Sequence, residues 1–470
     1  MPMDTTTLDP ATWLPQAAQA IEAWQATFGS YAAHPSTQVA PERVEAALAA
    51  YAERLQGNYP FFHPRYAGQM LKPPHPAAVI GYLAAQLINP NNHALDGGPP
   101  TSHMEKAVVR DLAAMFGLPA TSLGHLTSGG TIGNLEALWV ARELHPDRAI
   151  ACSEAAHYTH QRMGQVLRHE TVALPADAEG RLDLNALEDA LKTGRIGTVV
   201  LTAGTTSLGQ VDAIDDALTL RERYGVRIHV DAAYGGFFTL LAHDPGEGEG
   251  QLSAEVARHF RAIGACDSVV VDPHKHGLQP YGCGAILFRD PAVGRVYHHD
   301  SPYTYFTSDE LHLGEISLEC SRAGAAAGAF WFTTQLLPLQ ADEGLGPILR
   351  ACRTAAQRWE DALAQQDAFV SYQPPDLDIV TYYPRTEATT ASAVDAAAQR
   401  VFAQAMADPH QPFFVSVLRV DSTTLPVEAD QPQARILRSV LMKPEHATYV
   451  PTLLDGLTAQ CPALTNPTGS

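Results

Sequence analysis

The stretch Val269–Phe288, VVVDPHKHGLQPYGCGAILF, decides how this chain is read. A β-branched run, Ser268–Val271 (SVVV), stops at Asp272-Pro273, and Lys275 follows on a turn between two polar histidines, His274 and His276. A second apolar run, Ala285–Phe288 (AILF), comes next. Short apolar runs closed by turn residues read as strands buried on both faces. Lysine is seldom buried without a partner. One that follows a strand from the core is therefore either a nucleophile with a depressed amine pKa, able to form a Schiff base with a carbonyl cofactor, or a surface residue of the loop.

Outward from this stretch the texture repeats. Thr198–Thr202 (TVVLT) and Arg227–Val230 (RIHV) are further strand-like runs, and Ile132–Leu144 and Asp215–Tyr224 read as helices among them. Buried strands alternating with helices predict an α/β layer with a mostly parallel sheet between about residues 100 and 290. The first 60 residues read as helical: Pro41–Leu55 (PERVEAALAAYAERL) places Val44, Ala47, Leu48, Tyr51 and Leu55 at helical spacing. The proline- and aromatic-rich stretch 57–77 cannot be one regular element. Asp244–Gly250 (DPGEGEG) reads as a surface loop. Past Ser321 the chain is helical through Gln366, and FFVSVLRV (Phe413–Val420) is the clearest strand of the tail. The expected organisation is a helical segment and loop over 1–100, a large domain over 101–340 and a small C-terminal domain over 341–470.

Composition narrows the partners. Of 470 residues, 46% are hydrophobic and 17% charged, which excludes a disordered chain. The net charge of −20 argues against nucleic acid or an anionic membrane surface as a partner. No apolar run reaches the roughly 18–20 residues of a membrane span, and the N-terminus does not read as a signal peptide. The six cysteines include no CxxC pair, so reduced thiols and a cytoplasmic location are expected.

Three more segments carry chemistry. In HVDAAYGG (His229–Gly236), Asp231 ends an apolar strand beside the small Ala233, which suits a protonated ring nitrogen over a flat surface or, more plainly, a capping aspartate. Gly129, Gly130 and Thr131 precede a helix, where free backbone N–H groups and the helix dipole suit a phosphate, although any helix start can carry such residues. His157, in SEAAHYTH, could stack on a heteroaromatic ring or be a satisfied core histidine. Taken in chain order, a phosphate cradle, a flat histidine, a ring-nitrogen carboxylate and a Schiff-base lysine are the parts that hold pyridoxal phosphate. His298-His299-Asp300 lacks metal-ligand spacing, and no metal is expected.

These segments carry a resemblance. DPHK (Asp272–Lys275) with PYG (Pro280–Gly282), HVDAAYGG, GTTSLGQVDAID (Gly204–Asp215), HPRY (His63–Tyr66) and ECSRAG (Glu319–Gly324) resemble the pyridoxal-phosphate-dependent group II amino-acid decarboxylases of the glutamate, aromatic-amino-acid and tyrosine type, over roughly residues 57–335. The resemblance implies the fold-type I architecture, with a seven-stranded, mostly parallel sheet and a small C-terminal α+β domain. It implies that Lys275 holds the cofactor as a Schiff base, that Asp231 pairs with its ring nitrogen, and that His157 and Ala233 cover its two faces. Gly129, Gly130, Thr131 and His274 would hold the phosphate, and Thr202 would approach the ring. Tyr303 or Tyr305, in Ser301–Phe306 (SPYTYF), would be the acid that protonates the α-carbon after carbon dioxide leaves. Asp272 departs from the family's frequent asparagine. A homodimer with shared active sites is also implied.

The substrate expected is an aromatic L-amino acid such as tyrosine, DOPA or tryptophan, because DPHK with PYG looks most like tyrosine decarboxylases and the loop after HPRY is apolar. Lys72, Arg65 and His75 in that loop offer the alternative, a side-chain carboxylate as in glutamate or aspartate. A diaminobutyrate decarboxylase, an oxidative aldehyde-forming relative and a non-enzymatic scaffold are the remaining readings.

Overall fold

The computed structural model describes residues 8–243, 246, 248–298, 317–408 and 412–460. Seven strands form one sheet: β1 (Leu123–Thr127), β2 (Ala149–Ser153), β3 (Thr171–Leu174), β4 (Ile196–Thr202), β5 (Arg227–Asp231), β6 (Ser268–Val271) and β7 (Gly284–Phe288). Their spatial order is β1-β7-β6-β5-β4-β2-β3, and only β7 runs antiparallel to its neighbours. Every residue of β2, β4, β6 and β7 is buried, as expected of strands covered by helices on both faces. The α/β class and the mostly parallel sheet of the sequence reading are therefore observed. The main core is built from these strands together with Val108, Leu112 and Phe116, Phe237, Phe238 and Phe260, and Phe330.

A second, four-stranded antiparallel sheet has the order β10-β11-β9-β8, from β8 (Phe369–Gln373), β9 (Ile379–Pro384), β10 (Ser416–Asp421) and β11 (Gln433–Val440). Its own core gathers Trp359 and Leu363 of the helix Leu345–Ala364, with Tyr382, Val401, Leu437 and Leu453. The strand expected at Phe413 starts only at Ser416. Phe414 leaves the β11 ladder to bridge Tyr66, its N–H donating to Arg65 O (3.0 Å) and its carbonyl accepting Ala67 N–H (2.8 Å). The aromatic loop is thereby sewn to the small sheet, and Tyr66 is fully packed against Phe61 and Phe414.

At the N-terminus, Asp9 caps the helix Pro10–Ala26, and the helix Pro41–Leu55 follows the sequence pattern residue for residue. Neither has a buried residue, and Trp13, Trp24, Leu48 and Tyr51 lie largely exposed. Among the described residues no helix is long and apolar enough to cross a membrane. Cys152, Cys266, Cys283 and Cys352 are buried and unpaired, and Cys320 is exposed; Cys461 lies outside the described residues.

Candidate active site

Open α/β sheets bind ligands beyond the carboxyl ends of their parallel strands. Here β4, β5 and β6 lie side by side, and the residues at their C-terminal ends border a cavity of about 370 Å³.

The last residue of β5 is Asp231, buried, with its two oxygens in different roles. Oδ2 accepts His160 Nε2–H at 2.9 Å and Asn134 Nδ2–H at 3.3 Å; Oδ1 accepts only the Ala233 N–H, at 3.1 Å. Asn134 Oδ1 accepts in turn from His229 Nε2–H (2.8 Å), and His229 Nδ1 accepts the Ser268 hydroxyl (2.9 Å). Burial drives His229 down to about 3, so the ring is neutral and this is the one assignment that satisfies the chain. Burial would raise the Asp231 carboxyl. The His160 hydrogen bond and charge, the Ala233 N–H and the Lys275 ammonium outweigh it and hold the group well below the usual carboxylate range. The result is an anion fixed at the end of β5.

The turn after β6 supplies the amine. Lys275 Nζ lies 3.1 Å from Asp272 Oδ2, and His274 Nε2 lies 3.5 Å from the same oxygen. His274 Nδ1–H donates to Cys283 O at 2.8 Å, and burial lowers its pKa against the pull of Asp272, so Nε2 keeps its lone pair. Asp272 Oδ1 is buried with no hydrogen-bond partner. The Asp272 N–H donates to Ala233 O (3.2 Å), which ties this turn to the one after β5.

At the start of the helix Gly130–Leu144, Gly129 has φ +152°, ψ 171°, a region open to glycine and strained for any side chain. No side chain caps this helix, and the Gly129 carbonyl accepts the Ile132 and Gly133 N–H groups and the Thr127 hydroxyl. A Cβ on Gly130 would stand 2.9 Å from Asp272 Oδ2, so the strand-to-helix turn is kept open by having no side chain there. Free N–H groups at a helix N-terminus form an anion cradle. Next to it, Ser128 N–H donates to Glu319 Oε2 at 2.8 Å.

His157 completes the wall. Its Nδ1 accepts Thr159 N–H (3.3 Å), and burial lowers its pKa, leaving a flat neutral ring. Thr202, the last residue of β4, is buried with its Oγ1 unpartnered.

Gly129, Gly130, Thr131, His157, Thr202, Asp231, Ala233, His274 and Lys275 thus all line one cavity. Tyr303 and Tyr305 lie outside the described residues. His276, on the same turn as Lys275, is fully buried. One expectation needs correction. Lys72, Arg65 and His75 do not line the cavity: Lys72 Nζ donates to Met442 O (3.1 Å), Arg65 Nε to Tyr449 (3.2 Å), and His75 Nδ1 caps the helix Pro76–Gln86. The sequence reading also missed His160 and Asn134. Asn134 is a polar residue on a helix packed against the sheet, while His160 sits in the polar helix Thr159–Leu167 and gave no signal; only the fold brings both to Asp231. Among the described residues no group of three or more metal-ligating side chains occurs.

The comparisons with known proteins agree with this layout. A family model described as a pyridoxal-dependent decarboxylase conserved domain matches residues 35–382. The L-tyrosine decarboxylase of Enterococcus faecium is 32% identical over 393 residues, covering 64% of this chain and 64% of that protein. The L-tyrosine decarboxylase of Levilactobacillus brevis is 27% identical, over 68% of this chain and 66% of that protein. The matched region thus spans just under two thirds of the length of these relatives. Among solved structures, Oryza sativa TDC with PLP and tryptamine superposes with a TM-score of 0.77 at 18% identity, covering 98% of this chain and 99% of that one. Mouse CSAD gives 0.74 at 20%, over 94% and 98%. These last two likenesses show the fold, which is fold-type I. With its family model matched from the second helix into the small sheet, the chain belongs to the pyridoxal-dependent decarboxylase family.

Proposed function

We propose that this protein binds pyridoxal phosphate in the cavity between β4, β5 and β6 and decarboxylates an aromatic L-amino acid to its primary amine. The observation that carries the reading is the meeting in one cavity of an amine, a buried carboxylate and an uncapped helix start. The residues fit the group at each of its ends. The glycine cradle, whose space a Cβ would fill, suits the phosphate. Asp231 Oδ1, which has a single donor, suits a protonated ring nitrogen. Lys275 suits the carbonyl, and the unpartnered Thr202 Oγ1 suits a polar atom of the ring.

When bound there, pyridoxal phosphate supplies the electron sink for the pair left behind as carbon dioxide departs. The chain's own residues do the rest. Lys275 would hold the cofactor's carbonyl end and yield that place to the substrate's amine. Asp231 would keep a proton on the ring nitrogen, since a buried anion favours the charged form. His157 and Ala233 would cover the ring's two faces with a flat imidazole and a methyl group. Gly129, Gly130, Thr131 and His274 would hold the phosphate. Proton return to the α-carbon is assigned to Tyr303 or Tyr305, on sequence grounds.

An aromatic side chain is favoured by the charge of the cavity. Among the described lining residues Lys275 is the one lysine or arginine, while burial holds His157 and His274 toward the neutral form. A side-chain carboxylate would meet no second lysine or arginine among these described lining residues. Tyr158 and Tyr234 line the same cavity, and the curated relatives compared above carry the name tyrosine decarboxylase. The test is mass spectrometry of the purified protein with pyridoxal phosphate and separate L-amino acids. Tyramine, dopamine or tryptamine is the expected product. Consumption of glutamate or aspartate would overturn the substrate reading, and an aldehyde with ammonia would overturn the reaction.

The working unit proposed is a homodimer in the cytoplasm. Phe28 (77% exposed) and Tyr31 (92%), with Trp24, Leu48 and Tyr51, leave the N-terminal segment with exposed apolar side chains, Trp24 and Phe28 in mutual contact. A second copy of the chain is the cover proposed for it. A monomer by light scattering at micromolar concentration would refute this.

A further inference from the structure

A second polar cluster is buried behind the two cavity-forming turns, and nothing in the proposed chemistry uses it. His276 follows Lys275 directly and is fully buried, its ring edge-on to Tyr234 (4.9 Å) and Phe238 (5.0 Å). Its Nε2 stands 3.1 Å from Asp378 Oδ2. The other oxygen, Asp378 Oδ1, accepts the hydroxyl of Tyr234 at 2.5 Å, and Tyr234 itself lines the cavity three residues after Asp231. Asp378 belongs to the small sheet, immediately before β9. Its carbonyl accepts Leu441 N–H (2.8 Å), and the preceding carbonyl, of Leu377, accepts Arg353 Nη1 (3.0 Å).

We propose that Asp378 is a positioning residue: from the small sheet, one carboxylate holds the turn bearing Lys275 and the turn bearing Asp231 in register, through His276 and Tyr234. That the register serves cofactor binding rests on the function proposed above. A carboxylate is suited to this because it only accepts and has two oxygens, one for each turn. Burial would raise the Asp378 carboxyl, but His276, the Tyr234 hydroxyl and the Lys72 ammonium outweigh it and keep it ionised. A buried carboxylate that accepts the Tyr234 hydroxyl from one turn and has the His276 ring of the other at 3.1 Å fixes the two turns to each other more firmly than apolar packing does, because separating a buried charge from its polar partners is costly. The small sheet is in this way wired to the amine and to the anion of the cavity at once.

The test uses Asp378→Asn, Tyr234→Phe and the double variant in the full-length chain. Two quantities are read: the pyridoxal phosphate dissociation constant, and hydrogen exchange of the 231–235 and 272–279 peptides without cofactor. Each single variant is expected to weaken cofactor binding about tenfold, the size of one hydrogen bond to a charged group. The double variant is expected to be no weaker than Asp378→Asn alone, since Tyr234 acts through Asp378. Exchange should quicken in both turns. Faster exchange confined to the small sheet, with cofactor affinity within twofold of the parent, would overturn the proposal even if the melting temperature fell. So would effects that multiply in the double variant. If Asp378→Asn does not fold, Tyr234→Phe, which removes a single hydroxyl, carries the test. If the parent binds no pyridoxal phosphate, the functional reading fails, and the exchange data alone decide whether Asp378 registers the turns.

Discussion

Replacing His160 by leucine isolates the term that keeps Asp231 ionised. The ring's Nδ1 has no partner and its Nε2–H bonds only Asp231, so the substitution removes one hydrogen bond and no other. Asp231 Oδ2 would be left with the longer Asn134 contact at 3.3 Å, while Oδ1 keeps the Ala233 N–H. A hydrogen bond to a buried charge contributes about 1.5–3 kcal/mol, or about 1–2 pKa units on the carboxyl. The sign follows from the direction of the shift. Asp231 is depressed in the folded chain, so losing His160 raises it and its anion is lost at a higher pH. Cofactor binding should weaken about 10- to 100-fold, by a similar factor from about pH 5 to pH 8, because a rise of about 1–2 units from well below the usual carboxylate range leaves Asp231 ionised throughout that window. The acid limb, which lies below about pH 5, should move up by about 1–2 pH units. The assay is a fluorescence titration with pyridoxal phosphate from acid to pH 8. His160→Gln, which can return an N–H donor, should recover part of the loss. A loss confined to the range above pH 6, or none at all, would refute the role given to His160.

Gly129→Ala places a side chain at φ +152° with its Cβ 3.3 Å from the His274 ring, a strain of about 1–3 kcal/mol. Cofactor affinity, read by absorbance titration, should fall at least about tenfold. Lys72→Met should leave the KM for the amino acid within twofold, because Lys72 is outside the cavity and bonded to Met442 O; a switch of substrate preference would contradict this. His446 is held down to about 3 by burial, with Nε2–H on Pro64 O. The unfolded chain binds that proton near pH 6.5 and the folded chain resists it, so stability falls as pH drops through the window between. Urea denaturation should find His446→Gln losing about 2 kcal/mol less than the parent between pH 7 and pH 4.5.

Where sequence and structure agree, the local signal was strong. Ser268–Val271 is a strand because four small or β-branched residues end at a proline, and Pro41–Leu55 is a helix with proline at its start and Leu, Tyr and Val on one stripe. The strands β1, β2 and β3 escaped reading; Ala149–Ser153 (AIACS) has a single β-branched residue. Leu123–Thr127 (LGHLT) contains a glycine and a histidine, and Thr171–Leu174 is only four residues long. The nine cavity residues were legible because each ends a strand, starts a helix or lies on a short turn, where polar residues interrupt apolar runs. The outer contacts were not. His160 reads as one more polar residue in HYTH until the fold sets it against Asp231. His276 reads only as a polar neighbour of Lys275 until Asp378, from the small sheet, is brought to it. Lys72 offered a ligand for a carboxylate because it is a cation in the loop after HPRY, with Arg65 and His75, but its amine donates to Met442 O just past β11 rather than reaching the cavity.

The central claim is that Lys275 binds pyridoxal phosphate as part of a decarboxylating site. The measurement that tests it most directly is borohydride reduction of the protein loaded with pyridoxal phosphate, followed by peptide mass mapping, with L-tyrosine turnover followed on the unreduced sample. A pyridoxyl group is expected on the peptide containing Lys275 alone, together with release of carbon dioxide and tyramine. Label on another lysine, or a labelled Lys275 in a protein that releases carbon dioxide from no aromatic amino acid, would contradict it.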